Sequence, residues 1–171
     1  MRKITFVTLA LAGSAALVGA TTLPAFAADT TATVEVSGGL VSIAAPATIA
    51  FTTVAPGAPS TATLAGVVVT DARAGVEGWV ANVTLADFTG TDTADTIPAA
   101  GATYTAGTAV VVGTATVAPS AAGDPAATLP VQTATAVTGN NTATWSATLS
   151  VPVPTDALSD TFTAVLTHSV V

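Results

Sequence analysis

Cysteine is absent from this 171-residue chain, so no disulfide can staple it, no thiolate can hold a metal and no lipid-bearing cysteine is available. Basic side chains are nearly as scarce, with three Lys and Arg against ten Asp and Glu. So few cations cannot neutralise a run of phosphates, which excludes nucleic acid as a partner, and docking on an anionic membrane surface fails for the same reason. Charged residues make up only 8% of the chain, so its stability must come from backbone pairing and side-chain packing. The single His cannot build a multi-His metal site. No Gly-x-Ser-x-Gly elbow occurs to present a nucleophile.

The N-terminus has the pattern of an export signal. Arg2 and Lys3 precede the apolar stretch Ile4 to Val18, and Ala25-Phe26-Ala27 is a small-residue cleavage site. The expectation is a signal peptide over residues 1–27, followed by one domain over 28–171. Within that domain Arg73 is the sole basic residue. The tail from Thr155 to Val171 carries no basic stop-transfer cluster, and Leu129-Pro130 does not complete a sortase signal. A released protein with no membrane insertion after signal cleavage is expected, held at its destination without a covalent anchor.

Thr, Ala and Val dominate the rest, broken often by Gly and Pro. β-Branched residues suit a pleated surface, and the breaks stop any long helix. Strands are predicted at Thr31–Ser37, Leu40–Ala44, Ile49–Thr53, Thr61–Thr70, Trp79–Ala86, Thr108–Val112, Thr114–Val117, Thr128–Val137, Thr144–Val153 and Thr161–Val170. Ala55–Pro59, Gly90–Asp92, Pro119–Pro125 and Gly139–Asn141 have turn compositions. From Trp145 to Val153 every odd position is apolar, the mark of a strand with one dry face. Trp79, Ala81, Val83 and Leu85 share a second such face, and Phe162, Ala164, Leu166, His168 and Val170 a third. Pro152 lies on the outward phase and cannot donate a ladder hydrogen bond, so this end of the strand is expected to be an edge. Together these predict an all-β, immunoglobulin-like antiparallel β-sandwich of about eight to ten strands.

One segment carries a more specific pattern. Val69-Thr70-Asp71-Ala72-Arg73, a Gly-containing turn, then Gly78-Trp79 resembles the first signature of the WxL family. Phe162-Thr163-Ala164-Val165-Leu166-Thr167 resembles that family's closing segment. The likeness runs from Leu64 to Val171 and departs from the pattern in two places: Trp79-Val80-Ala81 lacks the third apolar residue, and His168 replaces the second Trp. The resemblance implies a secreted, non-covalently attached wall-binding protein of Gram-positive bacteria. By the same resemblance, Asp71, Arg73, Gly78, Trp79 and His168 form the wall-binding motif.

Read from the residues alone, several of these have structural roles. Trp79 and Trp145 sit on the apolar phase of their strands and read as core, with stacking on a sugar as the alternative. Asp71 and Arg73, two apart on an extended strand, read as an ion pair pinning a turn. His168 reads as a partly buried, hydrogen-bonded His. Asp87, Asp92 and Asp95 could offer carboxylates to calcium, but without the spacing or bidentate Glu of an EF-hand. Glu35 and Glu77 lack the shared apolar pocket that acid–base chemistry requires. No enzyme activity, cofactor or metal site is expected. The expected partner is peptidoglycan, a secondary wall polymer or other surface proteins. The alternative is a structural surface subunit, fimbria- or surface-layer-like, that self-associates through strand edges with few protective Lys.

Overall fold

Alternating Thr, Val and Ala form β-strands through most of the computed structural model, which describes residues 29–171. The export-signal reading over residues 1–27 lies outside the described residues. The all-β, immunoglobulin-like antiparallel sandwich is what the chain forms, and the described residues make ten strands and no helix. The strands are β1 (Val41–Ala44), β2 (Pro59–Asp71), β3 (Trp79–Leu85), β4 (Phe88–Gly90) and β5 (Thr96–Ile97), then β6 (Thr103–Ala106), β7 (Val110–Pro119), β8 (Leu129–Pro152), β9 (Phe162–Thr163) and β10 (Leu166–Val170). Seven of them make one sheet in the order β1-β2-β8-β3-β10, with β6 and β7 also on β8, while β5-β4-β9 form a small second sheet. Its end strands β1 and β10 lie against each other without a ladder between them, so the large sheet nearly closes.

The 24-residue β8 organises everything else. Its first half pairs β3 from Trp79↔Ala134 to Val83↔Leu129, and its second half pairs β2 from Asp71↔Asn141 to Pro59↔Pro152. β7 and then β6 run along its other edge. Gly139 marks the change of neighbour: its N–H donates to Gly75 O at 2.8 Å, tying this corner to the turn between β2 and β3. The predicted turn at Gly139–Asn141 is thus a corner inside one strand. Thr108–Val112 and Thr114–Val117 likewise merge into β7, with a register shift after Gly113.

The core follows the alternation. Trp145, Ala147, Leu149 and Val151 from β8, Trp79, Ala81, Val83 and Leu85 from β3, and Tyr104 from β6 are all buried. β2 needs a correction of phase, because Ala62 and Leu64 point inward and so do Val67 and Val69. The register slips by one residue between Leu64↔Ala147 and Val67↔Trp145, where Gly66 has φ 77°. This β-bulge inserts one residue and restores the dry face.

Two predicted strands are not formed. Thr31–Ser37 is exposed and has no ladder, and Ile49–Thr53 is an irregular segment anchored at Thr52 N→Thr61 O, 2.9 Å. A period of two describes the side chains, and a strand also needs a partner edge. The short β4, β5 and β6 carry too few residues to show a period.

Candidate functional site

The motif residues Asp71, Arg73, Gly78 and Trp79 meet at the corner where β2 ends and β3 begins. Asp71 is the last residue of β2 and points inward with its carboxylate almost fully buried, while Arg73 lies just beyond. Arg73 Nε donates to Asp71 Oδ1 and Nη2 to Oδ2, both at 2.9 Å, and the Arg73 N–H also donates to Oδ1 at 3.1 Å. The same Nη2 reaches the carbonyls of Glu77 and Gly78 at 3.1 Å. One guanidinium therefore closes the whole turn, including Ala74 in the left-handed region at φ 55°. The Arg73 guanidinium holds the Asp71 carboxyl below its ordinary range, against the opposing effect of burial.

The bracket continues inward through Asn141 of β8. Its amide donates to Asp71 Oδ2 at 3.4 Å, and its Oδ1 accepts the Trp79 indole N–H at 3.3 Å. Gly78 is required by close approach, since a Cβ there would collide with the Ala134 carbonyl oxygen. The polar side-chain atoms of Asp71 and Trp79 are thus all bonded within the bracket, and Trp79 is 2% exposed. Nothing in the sequence marks Asn141, which lies in the turn composition of Gly139–Asn141.

His168 lies outside this bracket. On β10 opposite Val83, its Nε2 sits 3.3 Å from the Tyr104 hydroxyl, and the two rings meet edge to face. Burial lowers the His168 pKa and raises that of Tyr104, so at neutral pH the phenol O–H faces a neutral imidazole.

The carboxylates around Asp87–Asp95 are used as loop staples. Asp87 accepts the Ala99 N–H at 2.8 Å, and Asp95 accepts those of Thr96 and Leu158 at 2.9 Å. Asp160 accepts the N–H groups of Asp92, Thr93 and Thr161 and the Thr93 hydroxyl, which bring its pKa down to about 2. Among the described residues no three His, Cys, Asp or Glu side chains gather into a metal site. The Glu77 side chain, 78% exposed, has no enclosing pocket.

A different kind of surface lies on the outer face of β6, β8 and β2. Register sets Thr103, Ser150 and Thr61 in one row and Thr105, Thr148 and Thr63 in the next. Neighbours in a row are about 4.8 Å apart and the rows about 6.7 Å apart. Thr144, Thr142 and Thr70 extend the hydroxyls toward β7. None of these residues is charged, all are exposed or half-exposed, and the hydroxyls that donate hydrogen bonds lie elsewhere, at Ser60, Thr91, Thr93 and Thr135. An apolar cleft of about 470 Å³ opens at one end of the sandwich between residues 49–56 and 157–162, with Phe51 and Phe88 edge to face in its wall.

No family model matches this chain, and no curated protein does.

Proposed function

We propose that this chain is a secreted cell-surface protein that attaches non-covalently to the cell wall, to peptidoglycan or an associated polymer, as a binding module and not as an enzyme. The observation that carries this reading is the uncharged hydroxyl face on β6, β8 and β2. A polyhydroxylated polymer offers donors and acceptors at short intervals, and a rigid sheet holds its own hydroxyls in rows, so little side-chain freedom is lost on binding. Each bond is weak, and affinity grows with the number made at once. The resemblance of Val69–Arg73 and Gly78-Trp79 to the WxL signature supports the same location. These residues act as the scaffold of the corner, and the face beyond it makes the contact.

Co-sedimentation with purified peptidoglycan, before and after removal of secondary wall polymers, tests the reading. Retention that survives their removal assigns the contact to peptidoglycan, and retention lost with them assigns it to the associated polymer. The triple variant T63V/T105V/T148V removes hydroxyls without changing shape and should lose retention at an unchanged melting temperature. Equal retention of variant and parent would reject the face, and no retention in either preparation would reject wall attachment.

A further inference from the structure

A segment patterned as a strand but lacking a ladder, and a long strand lacking a partner on one edge, occur in the same chain. Thr31–Ser37 alternates polar residues with Ala32, Val34 and Val36, and Val34 and Val36 are 87% and 80% exposed. β7 pairs only with β8, so the outer edge of its ten residues presents free N–H and C=O groups. Val110 and Val112 on β7 are also largely exposed, and no residue from Val110 to Pro119 is charged. Natural edges of this length are usually guarded by Lys, an inward charge or a covering loop. We propose that Thr31–Ser37 of one molecule adds as a strand to the β7 edge of a second copy of this chain.

The occupant follows from reach and charge. Gly39 N–H donates to Ala72 O at 2.7 Å, and a Cβ on Gly38 would collide with the Arg73 carbonyl oxygen, so the segment leaves the domain beside the end of β2. From β1, β7 is three strand spacings away through β2 and β8, about 14 Å. Seven extended residues span about 23 Å, so a crossing to its own β7 would leave only about three residues to pair. The β7 of a neighbour imposes no such crossing. Val34 and Val36 share one face of the segment and Glu35 takes the other. The pairing that keeps Glu35 in water lays the two valines beside half-buried Ala109 and Val111, and places Glu35 on the side of Val110 and Val112. The β1 and β10 edges face each other, β4, β5 and β9 are two or three residues long, and the four-residue β6 is bridged at Tyr104 by Gly123, so β7 is the edge with room.

Such a contact joins a donor site on one copy to an acceptor site on another, so copies can extend head to tail and need not stop at a pair. On the wall, a chain of copies would repeat the hydroxyl face and multiply its weak bonds. The self-association itself needs no wall material, so its test stands apart from that of wall attachment.

Sedimentation velocity of the exported chain over a range of concentrations reads the outcome directly. The parent should form concentration-dependent chains. V34D/V36D disables the donor and V110D/V112D, facing Glu35, disables the acceptor. All four positions are exposed, so melting temperatures should be unchanged while association weakens about tenfold or more. Mixed together, the two variants keep one intact donor and one intact acceptor, and should form a dimer that grows no further. A parent that stays monomeric at every concentration would overturn the proposal. So would association lost only in V110D/V112D, because β7 would then be pairing with β7.

Discussion

Replacing Arg73 with Ala perturbs the corner most informatively. The substitution leaves Asp71, 2% exposed, with the Arg73 backbone N–H and the Asn141 amide as its remaining donors. It also frees the carbonyls of Glu77 and Gly78, which face solvent and can be hydrated. Breaking a buried pair by removing one partner costs about 3–5 kcal/mol. Arg73 is itself 24% exposed, which places the expected loss near the lower bound, about 3 kcal/mol. For a chain of this size that lowers the melting temperature by about 6–12 °C.

The sign of the pH dependence sharpens the test. In the parent, Arg73 lowers the folded pKa of Asp71. The resulting stability is fully present above the unfolded value near 3.9 and is lost as pH falls through the folded pKa. In Arg73→Ala the largest cause holding that pKa down is gone, so the folded pKa of Asp71 moves up toward the unfolded value and the loss of stability on the acid side shrinks. Thermal unfolding from pH 7 to pH 2 measures both effects. Asp71→Asn in the Arg73→Ala background removes the buried charge and should recover stability at pH 7. A loss below about 2 °C at pH 7, or a parent-like slope with pH, would refute the bracket's role.

Three further outcomes are expected. Burial lowers the folded pKa of His168 below the ordinary 6.5, so its contribution is fully present above pH 6.5 and declines as pH falls below it. His168→Phe should flatten the melting temperature between pH 7.5 and pH 5, and an unchanged slope would contradict a buried neutral imidazole. Asp160, with a pKa of about 2, stabilises the 90–95 and 156–161 loops above about pH 4 and loses that effect as pH falls toward 2. Asp160→Asn should raise hydrogen exchange at Asp92 and Thr93 at neutral pH while leaving exchange in β8 unchanged. Gly78→Ala forces a Cβ against the Ala134 carbonyl and should cost about 1–3 kcal/mol, seen in chemical denaturation as a lower midpoint with the same slope.

The parts of the fold that the sequence discloses are those where one strand alone determines the pattern. Trp145 to Val151 and Trp79 to Leu85 alternate because each has one dry face, and their buried residues are the ones the alternation selects. The bulge at Gly66 breaks that logic, since a period of two cannot show an inserted residue without the partner's register. Gly139-Asn140-Asn141 has the composition of a turn, yet β8 continues past it because β7 pairs with it on both sides, at Thr138 and at Asn141, across a register shift. Composition reports local backbone preference, and the neighbouring edge decides whether the chain reverses or merely bends.

The same division explains the site. Asp71 and Arg73 lie two residues apart, so their pairing is legible from an extended strand, but Asn141 is 70 residues from Asp71 and joins only through the β2–β8 register. The hydroxyl face is a still less local property. Thr61, Thr105 and Thr148 belong to three strands, and each is an ordinary outward Thr within its own segment. Only pairing places Thr63 beside Thr148 and Thr148 beside Thr105. An individual Thr hydroxyl binds nothing measurable in water. A rigid row of them, placed by register and free of charge, can be tested by removing hydroxyls without altering shape.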